Sequence, residues 1–111
     1  MTSNKKMDRA ALEKIARMFS LFSDATRLEI LMELKEGALT VGELVNRVGV
    51  SQGNVSKQLH LLFDNGLLHR EKRGTQVFYS LSDEMIFPLC RMVCDKLNRD
   101  AQASVDLLYH I

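Results

Sequence analysis

The sequence predicts a mainly α fold with a small β-wing, in the order α-α-α-α-β-β-α. Three observations carry this expectation. From Leu12 to Phe63 apolar residues recur every three or four positions, interrupted at intervals by capping residues and glycines. Over residues 77–81 the period drops to two, as a half-buried strand requires. From Leu89 onward it returns to four, in one long helical stripe.

The elements follow in order. Leu12, Ile15, Ala16, Phe19 and Phe22 place an apolar stripe on a first helix over residues 8–22. Ser23 and Asp24 offer a cap for a second helix with Leu28, Leu31 and Leu34 inward, and Gly37 supplies its stop. Thr40 and Glu43 have the spacing of a capping box, in which each side chain satisfies the other's backbone donor, and Gly49 ends the third helix. Ser51 follows almost at once as a cap for a fourth helix carrying Val55, Leu59, Leu62 and Phe63, closed by Asn65 and Gly66. Helix, tight glycine-containing turn and helix over residues 40–66 make a helix-turn-helix. Residues 67–81 then form a two-stranded wing, with Lys72, Arg73, Gly74 and Thr75 as its basic connection. Pro88 would clash with the carbonyl of Glu84 inside a helix, so a turn is expected at 83–87 and a regular helix over 87–108. Its stripe of Leu89, Val93, Leu97, Ala101, Val105 and Leu108 is too long for so small a core and predicts a partner helix, most simply in a symmetric dimer.

Composition bounds the function. A chain of 111 residues with 46% hydrophobic and 26% charged side chains suits one domain, residues 1–111, with residues 1–7 expected to be flexible. No apolar run is long enough for a membrane span and none follows the N-terminus as a signal core, so the expectation is a cytoplasmic protein without a membrane partner. No nucleophile with a base and an orienting group, and no phosphate-binding glycine loop, points to an enzyme. The net charge of +1 argues at face value against nucleic acid, but it is unevenly spread. Residues 51–76 hold four basic residues against two acidic ones, whereas 82–111 hold three against five. The average thus hides a separation between a mildly basic reading surface and an acidic last helix, and so mild a surface must lean on base contacts and shape more than on phosphate attraction.

The fourth helix carries the candidate chemistry. A recognition helix presents short polar side chains on its N-terminal turns, because those turns enter the major groove. Gln52, Asn54 and Gln58 are candidates for reading bases, since their amides match the donor and acceptor edge of adenine. Ser51, Ser56 and Lys57 suit phosphates, and a protonated His60 can reach one too. On the wing, Arg70, Lys72, Arg73 and Thr75 complete the surface, with Arg73 expected at the tip near the minor groove. A solvent-facing polar helix or a hairpin edge charged against aggregation would carry similar residues. Their succession, capped helix, polar helix and basic wing, decides for operator DNA over a winged-helix module that binds another protein.

The stretches LFSDATRLEIL at 21–31, VSQGNVSKQL at 50–59, NGLL at 65–68 and VFYSL at 77–81 together resemble the ArsR/SmtB family of bacterial winged-helix repressors, from about Leu12 to Leu97. The resemblance implies a homodimer joined through the first and last helices, bound to operator DNA and released by an inducer. It also implies metal sites that can be checked. The family's thiolate site at the third helix reads Leu39-Thr40-Val41-Gly42-Glu43 here, without a thiol. The positions of its zinc site on the last helix read Asp83, Met85, Lys96 and Arg99, two of them cationic. No metal is expected at either.

Cys90 and Cys94 remain as sensing candidates. Their spacing puts both sulfurs on one helix face, about 5–6 Å apart at Cβ, too far for an undistorted disulfide but within reach of a thiophilic metal(loid) or a bridge of extra sulfur atoms. Persulfide formation or oxidation is the other thiol chemistry open to them. The family's sulfur and oxidant sensors pair a cysteine on the second helix with one on the last, and Met32 stands near the former position. Both sulfurs also fall within the arc of Leu89, Val93 and Leu97, where a cysteine serves as a small core residue. Packing and sensing both stand as readings of this pair, and no cofactor is certain.

Overall fold

The computed structural model describes residues 6–101 and 109–111. Helix α1 spans Arg9–Ser20, with the Asp8 carboxylate accepting from the Ala11 N–H as its cap. Helix α2 spans Ala25–Glu33; the Asp24 side chain accepts from the Arg27 N–H, and a short 3-10 turn over Leu34–Glu36 leads to Gly37. The Thr40 and Glu43 capping box is present in both directions at the start of α3, Val41–Val48, with Glu43 N donating to Thr40 Oγ1 and Thr40 N to Glu43 Oε1. Gly49 ends α3 at φ 79°, where a residue with a Cβ would be strained. Ser51 caps α4, Gln52–Asp64, which Gly66 closes in the left-handed region.

The wing consists of β2, Leu68–Arg73, and β3, Gln76–Leu81, antiparallel with Leu68 opposite Leu81 and Arg73 opposite Gln76. Two features differ from expectation. The strands run further toward the tip, so Lys72 and Arg73 belong to β2 and only Gly74 and Thr75 form the turn. A third strand, β1 over Leu39–Thr40, pairs with β3 and makes the sheet order β1-β3-β2. Two residues are too few for an alternation signal, so β1 is invisible in the sequence. It exists because the chain entering α3 lies along β3, with Leu39 opposite buried Tyr79.

Helix α5 spans Ile86–Ala101. It begins late enough for Pro88 to sit in the first turn, where its missing N–H would have had no partner. Asp83 Oδ1 accepts from Met85 N in the preceding turn. The remainder of the expected helix over 87–108, with Val105, lies outside the described residues, as do residues 1–5 of the segment expected to be flexible.

The core is centred on α2, α3, α4 and the start of α5: Ile30, Leu31, Leu44, Val55, Leu59, Leu62 and Ile86 are fully buried. Helix α1 buries none of its residues. Its stripe of Leu12, Ile15 and Phe19 is exposed, and so are Met92, Val93 and Leu97 on α5; Phe19 and Val93 keep more than half their surface, at 58% and 54%. The stripe of the last helix, for which the sequence predicts a partner helix, and that of the first helix are together an open apolar face of the protomer.

Thr40 anchors two elements at once, as cap of α3 and as a residue of β1. Thr40→Ala should lower unfolding free energy by about 1 kcal/mol, read as a lower urea midpoint with unchanged denaturant slope.

Candidate nucleic-acid interface

The N-terminal turns of α4 project from the core as the sequence suggests. Ser51 Oγ accepts from the Asn54 N–H at 3.2 Å, which uses a lone pair and leaves its own proton to donate outward. Gln52 and Lys57 are exposed, Asn54 and Ser56 half-buried, and His60 exposed on the later turn. Gly53 was not singled out from sequence. An added Cβ there would meet nothing within 4 Å, so the protomer itself does not require glycine at a helix position where glycine costs stability. Its bare backbone, next to N–H groups without intrahelical partners, allows a phosphate or groove wall to approach closely. The signal was available: a glycine in the first turn of a capped helix.

Gln58 departs from its expected role. It is 9% exposed, and its amide is engaged at both ends: Oε1 accepts from Arg27 Nη1 at 2.8 Å and Nε2 donates to Asn54 Oδ1 at 3.0 Å. It cannot read a base from this position. Arg27, also missed, donates through Nε to Leu21 O at 3.0 Å and through Nη2 to Ser20 O at 2.9 Å. One guanidinium thus caps the carbonyl end of α1 and reaches across α2 to α4.

The wing is tied to α4 by Arg70, whose guanidinium lies 4.0 Å from the centre of the Phe63 ring. Arg73 stacks on Phe78 at 4.5 Å and bonds Glu71, with Nη2 at 2.8 Å and Nε at 3.1 Å from the same Oε1. Strand register explains the grouping, because Glu71 lies opposite Phe78 and shares a strand face with Arg73. An exposed pair of this kind holds by at most about 1 kcal/mol, so Arg73 can exchange Glu71 for a phosphate at little cost. Lys72 is exposed with no ion-pair partner among the described residues, and Thr75 sits exposed in the turn beside Gly74. Ser51, Gln52, Lys57 and His60 on α4 and Arg70, Lys72, Arg73 and Thr75 on the wing are thus exposed, with Arg70 on Phe63 joining the two elements, whereas Gln58 is buried.

On α5, Cys90 is buried and Cys94 half-buried, and both are free thiols. They line an apolar groove of about 310 Å³ together with Phe19, Phe22, Leu28 and Leu97. Burial, and secondly the neighbouring Cys94 sulfur, push the Cys90 thiol above its ordinary pKa, so it is protonated at neutral pH. No cluster of three or more His, Cys, Asp or Glu that could hold a metal ion occurs among the described residues. Asp83, the one acidic residue at the family's zinc positions, is used in its own turn. No described helix is long and apolar enough to cross a membrane.

These features agree with known proteins. The model of the arsR family of bacterial regulatory proteins matches residues 24–70, from the cap of α2 to the start of the wing. A transcriptional repressor SmtB homolog from Synechocystis is 34% identical over 77% of this chain and 64% of its own length, so the match spans somewhat less than two thirds of that relative. A probable mercury resistance operon repressor from Streptomyces lividans is 34% identical over 82% of this chain and 72% of its own. The homodimeric winged helix-turn-helix DNA-binding domain of a possible ArsR-family regulator from Mycobacterium bovis superposes with a TM-score of 0.72 at 25% identity, covering 93% of this chain and 98% of that one. With helix-turn-helix, wing and sequence in agreement, the chain belongs to the arsR family of bacterial regulatory proteins.

Proposed function

We propose that the protein is a homodimeric transcriptional repressor that places α4 of each protomer in successive major grooves of a pseudo-palindromic operator, with the wings on the flanking backbone. The observation that carries this reading is the joint exposure of Ser51, Gln52 and Lys57, with half-buried Asn54 among them, on a capped helix start, beside a wing whose Arg70 is stacked on that same helix. Ser51, Ser56, Lys57, His60, Lys72, Arg73 and Thr75 serve phosphates, and Gln52 and Asn54 face base edges. Dimerisation is supported by the open face of α1 and α5, where large apolar side chains are left to water, and by the homodimeric relative.

The cysteine pair extends the reading. Both sulfurs line the groove of that same face, so ligation of a thiophilic metal(loid), or modification of a sulfur, adds bulk or charge where the partner must pack. Cys94 is the more accessible sulfur and is the point of entry, since protonated, buried Cys90 is a poor nucleophile. With the inducer absent, the pair serves as packing.

DNA binding, self-association and thiol chemistry each test this. Gel-shift titration against the gene's own upstream region should give sequence-dependent binding, and Lys57→Gln or Lys72→Gln should weaken it on all sequences and reduce the salt slope by about one each. Unchanged salt slopes in both would mean that this surface meets a protein instead. Leu97→Glu should weaken self-association by at least about tenfold in sedimentation velocity, as a charge within an apolar seam does. A Cys90→Ser/Cys94→Ser variant should bind the operator and ignore arsenite and tetrasulfide as probes; a variant still released by either probe makes the cysteines structural. In the wild type, iodoacetamide should label Cys90 more slowly than Cys94 at pH 7, with the lag shrinking as the pH rises. The raised pKa also fixes a sign for stability: the folded state holds the Cys90 proton more tightly than the unfolded chain, so this contribution is present below the ordinary thiol range and is lost as the pH climbs through it.

A further inference from the structure

We infer that Arg27 and Gln58 are positioning residues that set which edge of the Asn54 amide is offered to DNA, and thereby the base that Asn54 selects. The inference rests on the proposed reading of α4 as a DNA-recognition helix.

The polarity of the chain of hydrogen bonds fixes the orientation of each amide. Arginine has five N–H donors and no acceptor. Arg27 Nη1, 2.8 Å from Gln58, therefore demands the amide oxygen of Gln58 and turns Nε2 the other way. Nε2 in turn donates to Asn54, 3.0 Å away, and demands its oxygen. That bond holds Oδ1, which keeps one lone pair, on the side of buried Gln58, and leaves Nδ2, which makes no hydrogen bond among the described residues, as the other end of the amide. An amide nitrogen and oxygen are easily interchanged when judged by shape alone, but here each assignment is forced by the donor behind it.

The source of this direction is held rigidly. Arg27 Nε and Nη2 are committed to the carbonyls of Leu21 and Ser20, its own N–H to Asp24 Oδ2, and Gln58 is 9% exposed. A buried amide cannot turn over without facing its Nε2 donor toward Arg27 and leaving Nη1 without an acceptor, which a low-dielectric site penalises strongly. Asn54 alone would be free to present either end, or both ends to adenine. Backed by Gln58, it is a donor.

Major-groove edges respond differently to a donor. Guanine offers the N7 and O6 acceptors and thymine offers O4, whereas cytosine presents its N4 amino group, a donor. Adenine offers N7 but also an amino group at N6, and its two-way contact needs the Asn54 oxygen that Gln58 engages. The position read by Asn54 is therefore guanine or thymine, in preference to cytosine or adenine.

The test is selection from a randomised duplex pool by the full-length protein. Asn54→Ala identifies the position, as the one whose preference disappears. Wild type should favour guanine or thymine there. Gln58→Glu keeps the bond from Arg27 but offers Asn54 an acceptor, which draws Nδ2 inward and presents Oδ1, so the preference should reverse toward cytosine or adenine by about tenfold, the scale of one base contact. Where Gln58→Glu fails to fold, the wild-type selection decides by itself, because adenine or cytosine at the position read by Asn54 would require an outward Oδ1 and would overturn the relay. A merely structural role for Gln58 would weaken binding at every base alike and reverse nothing. Retention of the wild-type preference in folded Gln58→Glu would likewise overturn the relay while leaving DNA binding intact. Absence of any enriched sequence with the wild-type protein would overturn the DNA reading, and the relay with it.

Discussion

The guanidinium of Arg27 is the joint on which this arrangement depends. It belongs to α2, carries only N–H donors, and so must be surrounded by oxygens: two carbonyls at the end of α1 and the amide of Gln58 on α4. Three helices are thereby fixed by one rigid planar group, at a point where the apolar core offers no directional preference of its own. Around it, Ile30, Leu31, Leu59 and Leu62 supply the bulk of the packing, and such contacts specify proximity more than angle. The angle of α4, which decides what its first turns can touch, comes from the polar joint.

Local signals made most of the fold readable. Thr40 with Glu43, Ser51, Gly49 and Gly66 each act within four residues of themselves, so their role is written in the sequence without knowledge of distant partners. The failures are all non-local. Strand β1 is held by pairing with β3, nearly forty residues away, and not by any pattern of its own. The apolar stripe of α1 was correctly placed on a helix face, but periodicity says that a face wants burial and cannot say whether its own chain or another provides it.

The candidate site shows the same division. Residue type alone made Gln58 equivalent to Gln52 and Asn54, three amides on one helix. Helical angle separates them: at about 100° per residue, Gln58 falls about 40° from Leu62 and about 60° from Val55, on the flank of the buried stripe. That signal was in the sequence and outweighed by the attraction of an amide on a recognition helix. Arg27 could not have been found so simply, because its partners at Ser20, Leu21 and Gln58 come together only once α1, α2 and α4 are packed. For Lys72 and Arg73 it is the setting that differs from expectation. Strand pairing continues to Arg73 because a two-residue turn with Gly74 at φ 64° closes the hairpin, which leaves Arg73 beside Glu71 and not alone at a loop tip.

Buried polarity is confined to one part of the molecule. Among the described residues the buried polar side chains are Thr40 and Gln58, and no buried side-chain nitrogen or oxygen lacks a hydrogen-bond partner. Both lie in the helix-turn-helix, one at the entry to α3 and one within α4. A satisfied buried polar group adds little net stability, but it penalises every alternative arrangement in which it would be left unpaired. Directional interactions are therefore concentrated where orientation matters, at the proposed reading surface. The face of α1 and α5 is built the other way, from Leu12, Ile15, Phe19, Val93 and Leu97 around two thiols, where area rather than direction governs association. A protomer so divided can exchange one partner at the apolar face while the geometry of α4 stays fixed by its own hydrogen bonds.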